Sequence, residues 1–121
     1  MTQEKFNDVV GSQIEFCKSM LIKKGTEYAP ENHAPGEMDR LAHFKKAAVM
    51  MNCTPKAALV GMLSKHLVSV VDMCLSDRVY SKKQWAEKLT DSINYLMILR
   101  AIVEEELDEK NRSEDAESGV H

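Results

Sequence analysis

The sequence predicts an all-α protein, a four-helix bundle that we expect to be oligomeric. Apolar residues recur at three- and four-residue steps along four segments, and no segment shows the alternation typical of a strand. Four of the eight glycines and prolines fall within residues 25–36, which indicates one substantial loop. The length of 121 residues suits one domain, so we expect a bundle over residues 1–107, a loop at 25–37 and a disordered acidic tail at 108–121.

The N-terminal part of the chain is predicted to form two helices separated by this loop. Residues 3–24 place apolar side chains on one face, and Gly25 is well placed to end the first helix. Asp39 is placed to begin the second helix, which we expect to stop near Asn52. Both segments therefore have the pattern of amphipathic helices.

The C-terminal part is predicted to form two longer helices, each with its own start signal. Thr54 followed by Pro55 is typical of a helix N-cap and first helical position, and the third helix is expected to run to about Leu75. The hydroxyl of Ser81 can cap the fourth helix. After Leu107 the chain has almost nothing to bury, which predicts a solvated tail.

Composition and charge exclude several classes of function. A formal charge of −3 and a pI of about 5.8 provide no basic surface for a phosphate backbone, so we expect no nucleic-acid binding. The N-terminus lacks the pattern of a signal peptide, and no uninterrupted apolar run reaches the roughly 18 residues that span a bilayer. Three widely spaced cysteines indicate reduced thiols. We expect a cytoplasmic protein without a membrane segment.

The third helix contains polar residues within an otherwise apolar segment. Apart from these polar residues, the segment from 57 to 74 is almost entirely apolar, which predicts a central, buried helix. Lys65, Ser69 and Asp72 follow one another at steps of four and three and share one face, with His66 beside it. Buried polar groups of this kind need partners, so we expect Lys65, His66 and Ser69 to contact a ligand.

The fourth helix repeats this arrangement. Its polar residues are spaced three and four apart with one tyrosine adjoining: Glu87, Thr90, Asp91, Asn94 and Tyr95. Asp91 and Asn94 lie mid-helix, where short polar side chains disfavour helix and rarely occur without a partner. We therefore expect Asn94 and Tyr95 to contact the same ligand.

If the two polar faces meet, they predict a site for a metal ion and a phosphate. Asp72, Glu87 and Asp91 are carboxylates on facing helices, the arrangement with which bundles hold hard cations such as Mg²⁺. Lys65 could hold a phosphate, and His66 could be a second phosphate contact or a general acid. Two structural alternatives stay open: an ion pair between Lys65 and Asp72, and a solvated acidic pair of Glu87 with Asp91.

Further candidate ligand contacts lie in and after the loop. The segment KGTEYAPENH offers Lys24, Glu27 and Tyr28, of which Tyr28 could stack on a base and Glu27 could assist the metal. The segment DRLAHFKKAA adds His43 and Lys45. The structural alternatives are a plain polar connection and a packed or surface histidine.

These residues support a resemblance to a known family. The quoted loop together with DRLAHFKKAAVMMNCTPKAALVGMLSKHLVSVVDM and WAEKLTDSINYLMIL resembles small bacteriophage and prophage proteins over about residues 23–103. More distantly, the chain is similar to the MazG-like all-α nucleoside-triphosphate pyrophosphohydrolases, which are Mg²⁺ enzymes. Those enzymes carry E-E-x-x-E followed by E-x-x-D, whereas this chain has Glu87-x-x-x-Asp91. The partial counterparts of their metal ligands are therefore Asp72, Glu87 and Asp91.

Three functions follow as hypotheses. The first is a phage-type Mg²⁺-dependent nucleotide pyrophosphohydrolase, in which Asp72, Glu87 and Asp91 hold metal and activate water. The second is a non-catalytic protein that binds and sequesters a signalling nucleotide in phage–host conflict. The third is a structural or interaction module whose polar faces are interface networks. The apolar third helix and eight methionines also predict a homodimer or higher homo-oligomer.

Overall fold

The computed structural model describes the backbone of residues 1–27 and 39–118 and the side chains of residues 1–24 and 39–116. These residues form four helices and no strand, which confirms the all-α prediction: α1 (Gln3–Glu27), α2 (Ala42–Met50), α3 (Pro55–Leu75) and α4 (Lys82–Ser118). Helix α4 packs against both α3 and α1, and α2 packs against α3. The arrangement is that of a helical bundle.

The apolar core lies between α2, α3 and α4. It consists of Leu41, Phe44, Leu59, Leu63 and Ile102, with Met62, Tyr95, Ile98 and Leu99 packed against it. Within the described residues, the backbone of α1 approaches that of α4 alone. At that contact Cys17 is buried, and Gln13 Nε2 donates a hydrogen bond to Thr90 Oγ1 at 2.7 Å.

The two predicted start signals are confirmed. Thr54 Oγ1 accepts a hydrogen bond from the backbone N–H of Ala57 at 3.2 Å, with Pro55 at the first helical position. At the start of α4, Ser81 Oγ accepts from the Gln84 N–H at 3.1 Å, and Gln84 Oε1 accepts from the Ser81 N–H at 2.9 Å. This reciprocal pair is a capping box, which satisfies two backbone donors at the helix end.

Helix α2 is shorter than predicted at its start and ends where expected. Helix α2 begins at Ala42, and the Asp39 carboxylate accepts the Leu41 N–H at 2.9 Å in a turn that precedes it. At the other end Asn52 adopts a left-handed φ of 52°, and the Cys53 N–H donates to the Ala48 carbonyl at 2.9 Å. This is the Schellman termination, in which asparagine is one of the residues that tolerate the left-handed position.

Helices α1 and α4 extend beyond their predicted ends. Helix α1 continues through Gly25 to Glu27, since one glycine costs a helix only about 1 kcal/mol. Helix α4 continues to Ser118 through residues predicted to form a tail. The side chains of residues 107–116 are all exposed there, so good helix formers, rather than packing, account for the extension.

Helix α3 is not the fully buried central helix that its composition predicts. Its buried residues are Ala58, Leu59, Leu63 and Met73, which lie on the side facing the bundle, whereas the opposite side is exposed. By length and composition alone α3 could also cross a membrane. The polar residues Ser64, Lys65, His66 and Ser69 interrupt the apolar run of α3, so the length of uninterrupted apolar runs does not indicate this property.

Candidate functional site

A pocket of about 340 Å³ lies where α1, α3 and α4 meet the start of α2. Its lining consists of Leu21, Lys24, Arg40, His43, Phe44, His66, Asp91, Asn94, Tyr95 and Ile98. The structure thus brings together six residues that the sequence singled out: Lys24, His43, His66, Asp91, Asn94 and Tyr95. Its size lies at the lower end of the roughly 300–1,000 Å³ typical of small-molecule sites.

Aromatic rings form one wall of the pocket. The rings of His66 and Tyr95 lie 4.9 Å apart between centroids, at an angle of 33°. Phe44 also contacts Tyr95, in an edge-to-face arrangement with centroids 6.4 Å apart. Because these rings come from α2, α3 and α4, packing of the three helices holds the wall in place.

Asn94 is a buried polar residue at the base of the pocket. Asn94 is only 6% exposed, yet neither its Nδ2 nor its Oδ1 has a hydrogen-bond partner among the described residues. Buried polar side-chain atoms in folded proteins are nearly always paired, so an exception requires an explanation. The sequence analysis predicted that Asn94 needs a partner, and the structure gives it none from the described protein residues.

The charges around the pocket are mostly positive. Lys24 and Arg40 are exposed beside it, and Arg40 Nη2 donates a hydrogen bond to the Leu21 carbonyl of α1 at 3.3 Å. The carboxylate of Asp91 lies 3.8 Å from His66 Nδ1, which is within ion-pair distance but too long for a hydrogen bond. Among the described residues, the lining of the pocket thus includes the cations Lys24 and Arg40 and the carboxylate of Asp91, a balance that favours an anionic ligand.

The three predicted metal ligands do not share one cavity. Asp72 and Glu87 line a separate groove with Ser69, whereas Asp91 lines the pocket. Glu87 and Asp91 also line a third groove, between α1 and the start of α4, which contains Lys24. In the described part of the chain, no three His, Cys, Asp or Glu side chains lie close enough together to hold a metal ion. These residues alone do not form a Mg²⁺ site, so Mg²⁺ binding stays a prediction.

Lys65 lies at the margin of the candidate site. It is exposed and lines a shallow groove together with His66 and Tyr95. Asp72 is also exposed, and the described residues include no ion pair between it and Lys65. The structural alternative for these two residues, an ion pair that sets helix register, is therefore not observed.

Lys45 is held outside the pocket by two carboxylates. Its Nζ lies 2.6 Å from Asp39 Oδ2 and 2.5 Å from Glu105 Oε1, which joins the start of α2 to α4. The hydrogen bond from Lys45 lowers the pKa of Asp39, and the hydrogen bonds to Asp39 and Glu105 raise the pKa of Lys45. The structure thus gives the Lys45 ammonium two protein partners.

Two predicted contacts lie outside the described residues, and the sequence did not predict four of the lining residues, among them the cationic Arg40 and the aromatic Phe44. Tyr28 and the side chain of Glu27 are outside the described part of the chain. The sequence analysis did not select Arg40 or Phe44. Both belong to the segment DRLAHFKKAA, in which the proximity of Arg40 to His43 was the available signal.

Comparisons with known proteins give no independent indication of the ligand. The relation to bacteriophage and MazG-like proteins stays a prediction, and the argument for a ligand rests on the residues and their geometry. No protein-family model, no curated protein and no solved structure matches this chain.

Proposed function

We propose that this protein binds a nucleotide, a ligand with one planar ring and at least one phosphate, in the pocket between α1, α3 and α4. The observation that carries the proposal is the buried amide of Asn94, a residue that lines the pocket and whose amide has no hydrogen-bond partner among the described residues. The aromatic wall and the cations beside the pocket support the same class of ligand.

The Asn94 amide favours a ligand with a hydrogen-bond donor and an acceptor side by side. Its Nδ2 donates and its Oδ1 accepts, and leaving such a group buried and unpaired costs about 1–3 kcal/mol. A nucleobase edge can satisfy both atoms at once, as in the pairing of asparagine with adenine. A ligand edge of this kind would supply both partners that the Asn94 amide lacks among the described residues.

The rest of the lining suits the two other parts of a nucleotide. The rings of His66 and Tyr95 offer flat apolar area beside Asn94, and stacking on an aromatic ring accommodates every base. Arg40 donates one hydrogen bond to the Leu21 carbonyl, which leaves further N–H groups of its guanidinium for phosphate oxygens. Lys24 adds a second positive charge beside the pocket.

Hydrolysis of the bound nucleotide is the second candidate. It is favoured by Asp91, which lines both the pocket and the adjoining groove, where Glu87 lies one helical turn away. The predicted relation to pyrophosphohydrolases supports this candidate, and the predicted relation to phage proteins supports sequestration of a signalling nucleotide. Both candidates share the binding pocket and differ in the fate of the ligand.

A binding and turnover assay tests the proposal. The purified protein is incubated with nucleoside triphosphates, deoxynucleotides and cyclic signalling nucleotides, with and without Mg²⁺, and the bound and free fractions are analysed by mass spectrometry. Retention of an intact nucleotide supports binding alone. A monophosphate product that forms only with Mg²⁺ supports hydrolysis. If neither is found, a structural module is the better hypothesis.

The variant Asn94→Leu separates recognition from structure. Losing a two-point hydrogen-bonded contact of about 1–3 kcal/mol predicts a dissociation constant about 5- to 150-fold higher. The thermal midpoint is expected to stay unchanged or rise, because an apolar side chain of similar volume no longer buries an unpaired amide. The matched control is Asn111→Leu, at an exposed position of α4 outside the pocket. Unchanged affinity of Asn94→Leu for the nucleotide would contradict a hydrogen-bonded contact between Asn94 and the ligand.

A further inference from the structure

Helix α3 presents an exposed apolar face along most of its length. Five large side chains on it, Val60, Leu67, Val68, Val71 and Leu75, are between 44% and 81% exposed. They lie on the side of α3 opposite its buried residues. Scattered exposed apolar residues are ordinary, but a stripe of them on one face over about four helical turns marks an interaction surface.

The stripe has the spacing of a coiled-coil seam. Six exposed positions alternate at steps of three and four residues, and we call them the α3 seam: Ala57, Val60, Ser64, Leu67, Val71 and Cys74. This is an a/d heptad pattern maintained over 18 residues. None of the six is charged, and the nearest charges, Lys65 and Asp72, lie on the flank.

Two environments could cover such a face, a bilayer or another protein surface. Only 22% of the most apolar window of α3 is buried, so the helix is not the covered core helix of a monomer. A bilayer is disfavoured because the other side of α3 packs on α4, where Asp72, Glu87 and Lys88 line one groove. Insertion of α3 would carry these charges toward hydrocarbon at a cost of several kcal/mol. A protein surface is therefore the better occupant.

We propose that two copies of this chain form a dimer in which the α3 seams pack antiparallel. In this register every layer joins an a position to a d position of the other copy: 57 with 74, 60 with 71, and 64 with 67. In two of these three pairs a smaller residue faces a larger one, since Ala57 meets Cys74 and Ser64 meets Leu67 of the second copy, whereas Val60 meets Val71. Alternation of small and large side chains lets two facing layers interdigitate. Antiparallel helix dipoles also favour this direction.

Gly61 provides an independent reason for close approach of a second copy. A glycine inside a helix costs about 1 kcal/mol relative to alanine, so a retained one suggests a packing requirement. Within the described chain there is none, because a Cβ at Gly61 would meet only the Met51 side chain, at an ordinary 3.9 Å. In the antiparallel register Gly61 faces Val68 of the second copy, where the missing side chain leaves room for it.

The available area is compatible with a stable dimer. The exposed apolar surface of the α3 seam continues onto Val68 and Leu75, which are 59% and 81% exposed, and this enlarges the area that a second copy can cover toward the roughly 800 Å² per partner of standard interfaces. The exposed side chain of Met51, which lies against Gly61, extends the apolar surface onto the end of α2. A self-complementary surface of this size favours an isologous pair.

Sedimentation velocity over a range of concentrations tests the dimer. The wild-type chain is expected to sediment as a dimer, and Leu67→Glu as a monomer, because a carboxylate would be buried in the central layer. The matched control is Val79→Glu, whose position outside α3 is 97% exposed; this variant is expected to remain dimeric. A monomeric wild-type chain, or flotation of that chain with neutral phosphatidylcholine vesicles, would overturn the proposal.

Cysteine cross-linking tests the direction of the helices without relying on a destabilising variant. In a Cys53→Ser background, Ala57→Cys is expected to form a covalent dimer with the native, exposed Cys74 when oxidised glutathione is added. The two positions lie about 26 Å apart along one helix, well beyond the roughly 7 Å that a disulfide can bridge, so the bond must join two chains. Cys53→Ser alone is the control and should stay uncrosslinked. A Cys74–Cys74 dimer in that control would show parallel helices and overturn the antiparallel register.

Discussion

The imidazole of His66 on α3 contacts the ring of Tyr95 on α4 in a tilted arrangement, with centroids 4.9 Å apart and planes 33° apart. The same imidazole places its Nδ1 3.8 Å from the Asp91 carboxylate. One side chain thus contributes both to the aromatic wall of the pocket and to its charge balance. The polar residues of α3 and α4 meet at this point, and Asn94 lies beside it.

If the His66 ring acts by stacking, its shape should matter more than its nitrogens. His66→Ala is expected to weaken nucleotide binding about 5- to 150-fold, the equivalent of the 1–3 kcal/mol of one base–aromatic contact. His66→Phe, which keeps a ring, is expected to retain an affinity close to that of the wild type. Isothermal titration calorimetry measures both. Equal losses in the two variants would assign the effect to the imidazole nitrogens instead.

Arg40 should recognise the phosphates rather than the base. Arg40→Met removes a charge-assisted contact of about 1.5–3 kcal/mol, so affinity for a nucleoside triphosphate should fall about 10- to 150-fold. Affinity for the corresponding nucleoside should not change, and the loss should shrink at high salt because the lost interaction is electrostatic. Lys46→Met is the control, since Lys46 is exposed on α2 and does not line the pocket. An equal loss for the nucleoside would contradict a phosphate contact.

The hydrogen bond from Gln13 to Thr90 should stabilise the contact between α1 and α4. Gln13→Leu leaves the Thr90 hydroxyl, which is 4% exposed, without its observed donor, so the free energy of unfolding should fall by about 1–3 kcal/mol. Thr90→Val should cost a similar amount. The double variant should cost less than the two together, because both partners are then apolar. Urea denaturation measures the cycle, and strict additivity would show that the bond contributes nothing.

The Asp39–Lys45 ion pair should make stability depend on pH in the acid range. Because the pKa of Asp39 is lowered in the folded protein, the pair contributes above the usual aspartate pKa of about 4 and is lost as pH falls through the lowered value. Because the pKa of Lys45 is raised in the folded protein, its contribution to stability is fully present at neutral pH. That contribution is lost only as pH rises through the raised pKa, in strong alkali.

The variant Lys45→Met measures this contribution. At pH 7 it should lower the free energy of unfolding by no more than about 1 kcal/mol, because both side chains are partly exposed. At pH values below the lowered Asp39 pKa, the free energies of unfolding of the variant and the wild type should differ by less. Lys46→Met is again the control, with no such pH dependence expected. A constant difference across the acid range would show that packing of the Lys45 side chain, rather than its charge, is responsible.

The start of α3, the end of α2 and the start of α4 could be predicted from the sequence because short-range contacts decide them. The Thr54 cap, the Ser81 cap and the stop at Asn52 each involve groups within five residues of one another. The spacing of apolar residues likewise placed all four helices. The positions of Asp91, Asn94 and Tyr95 on one face of α4 followed from the same helical geometry.

What only the tertiary structure decided is which of these faces meet. The sequence pattern places Asp72 near His66 on α3 and Glu87 near Asp91 on α4. In the structure His66 and Asp91 line the pocket, whereas Asp72 and Glu87 line another groove. Which residues line which cavity depends on how α3 crosses α4. Arg40 entered the pocket because α1 passes beside the start of α2, a contact between residues 19 positions apart.

The two faces of α3 show the same limit. Both are apolar in sequence, so spacing alone could not tell which one the bundle covers. Packing on α2 and α4 buried the side with Leu59 and Leu63 and left the side with Leu67 and Val71 exposed. The sequence determined the local helices and their faces, because those depend on neighbouring residues. The pocket and the exposed seam depended on contacts between distant segments, which no local pattern encodes.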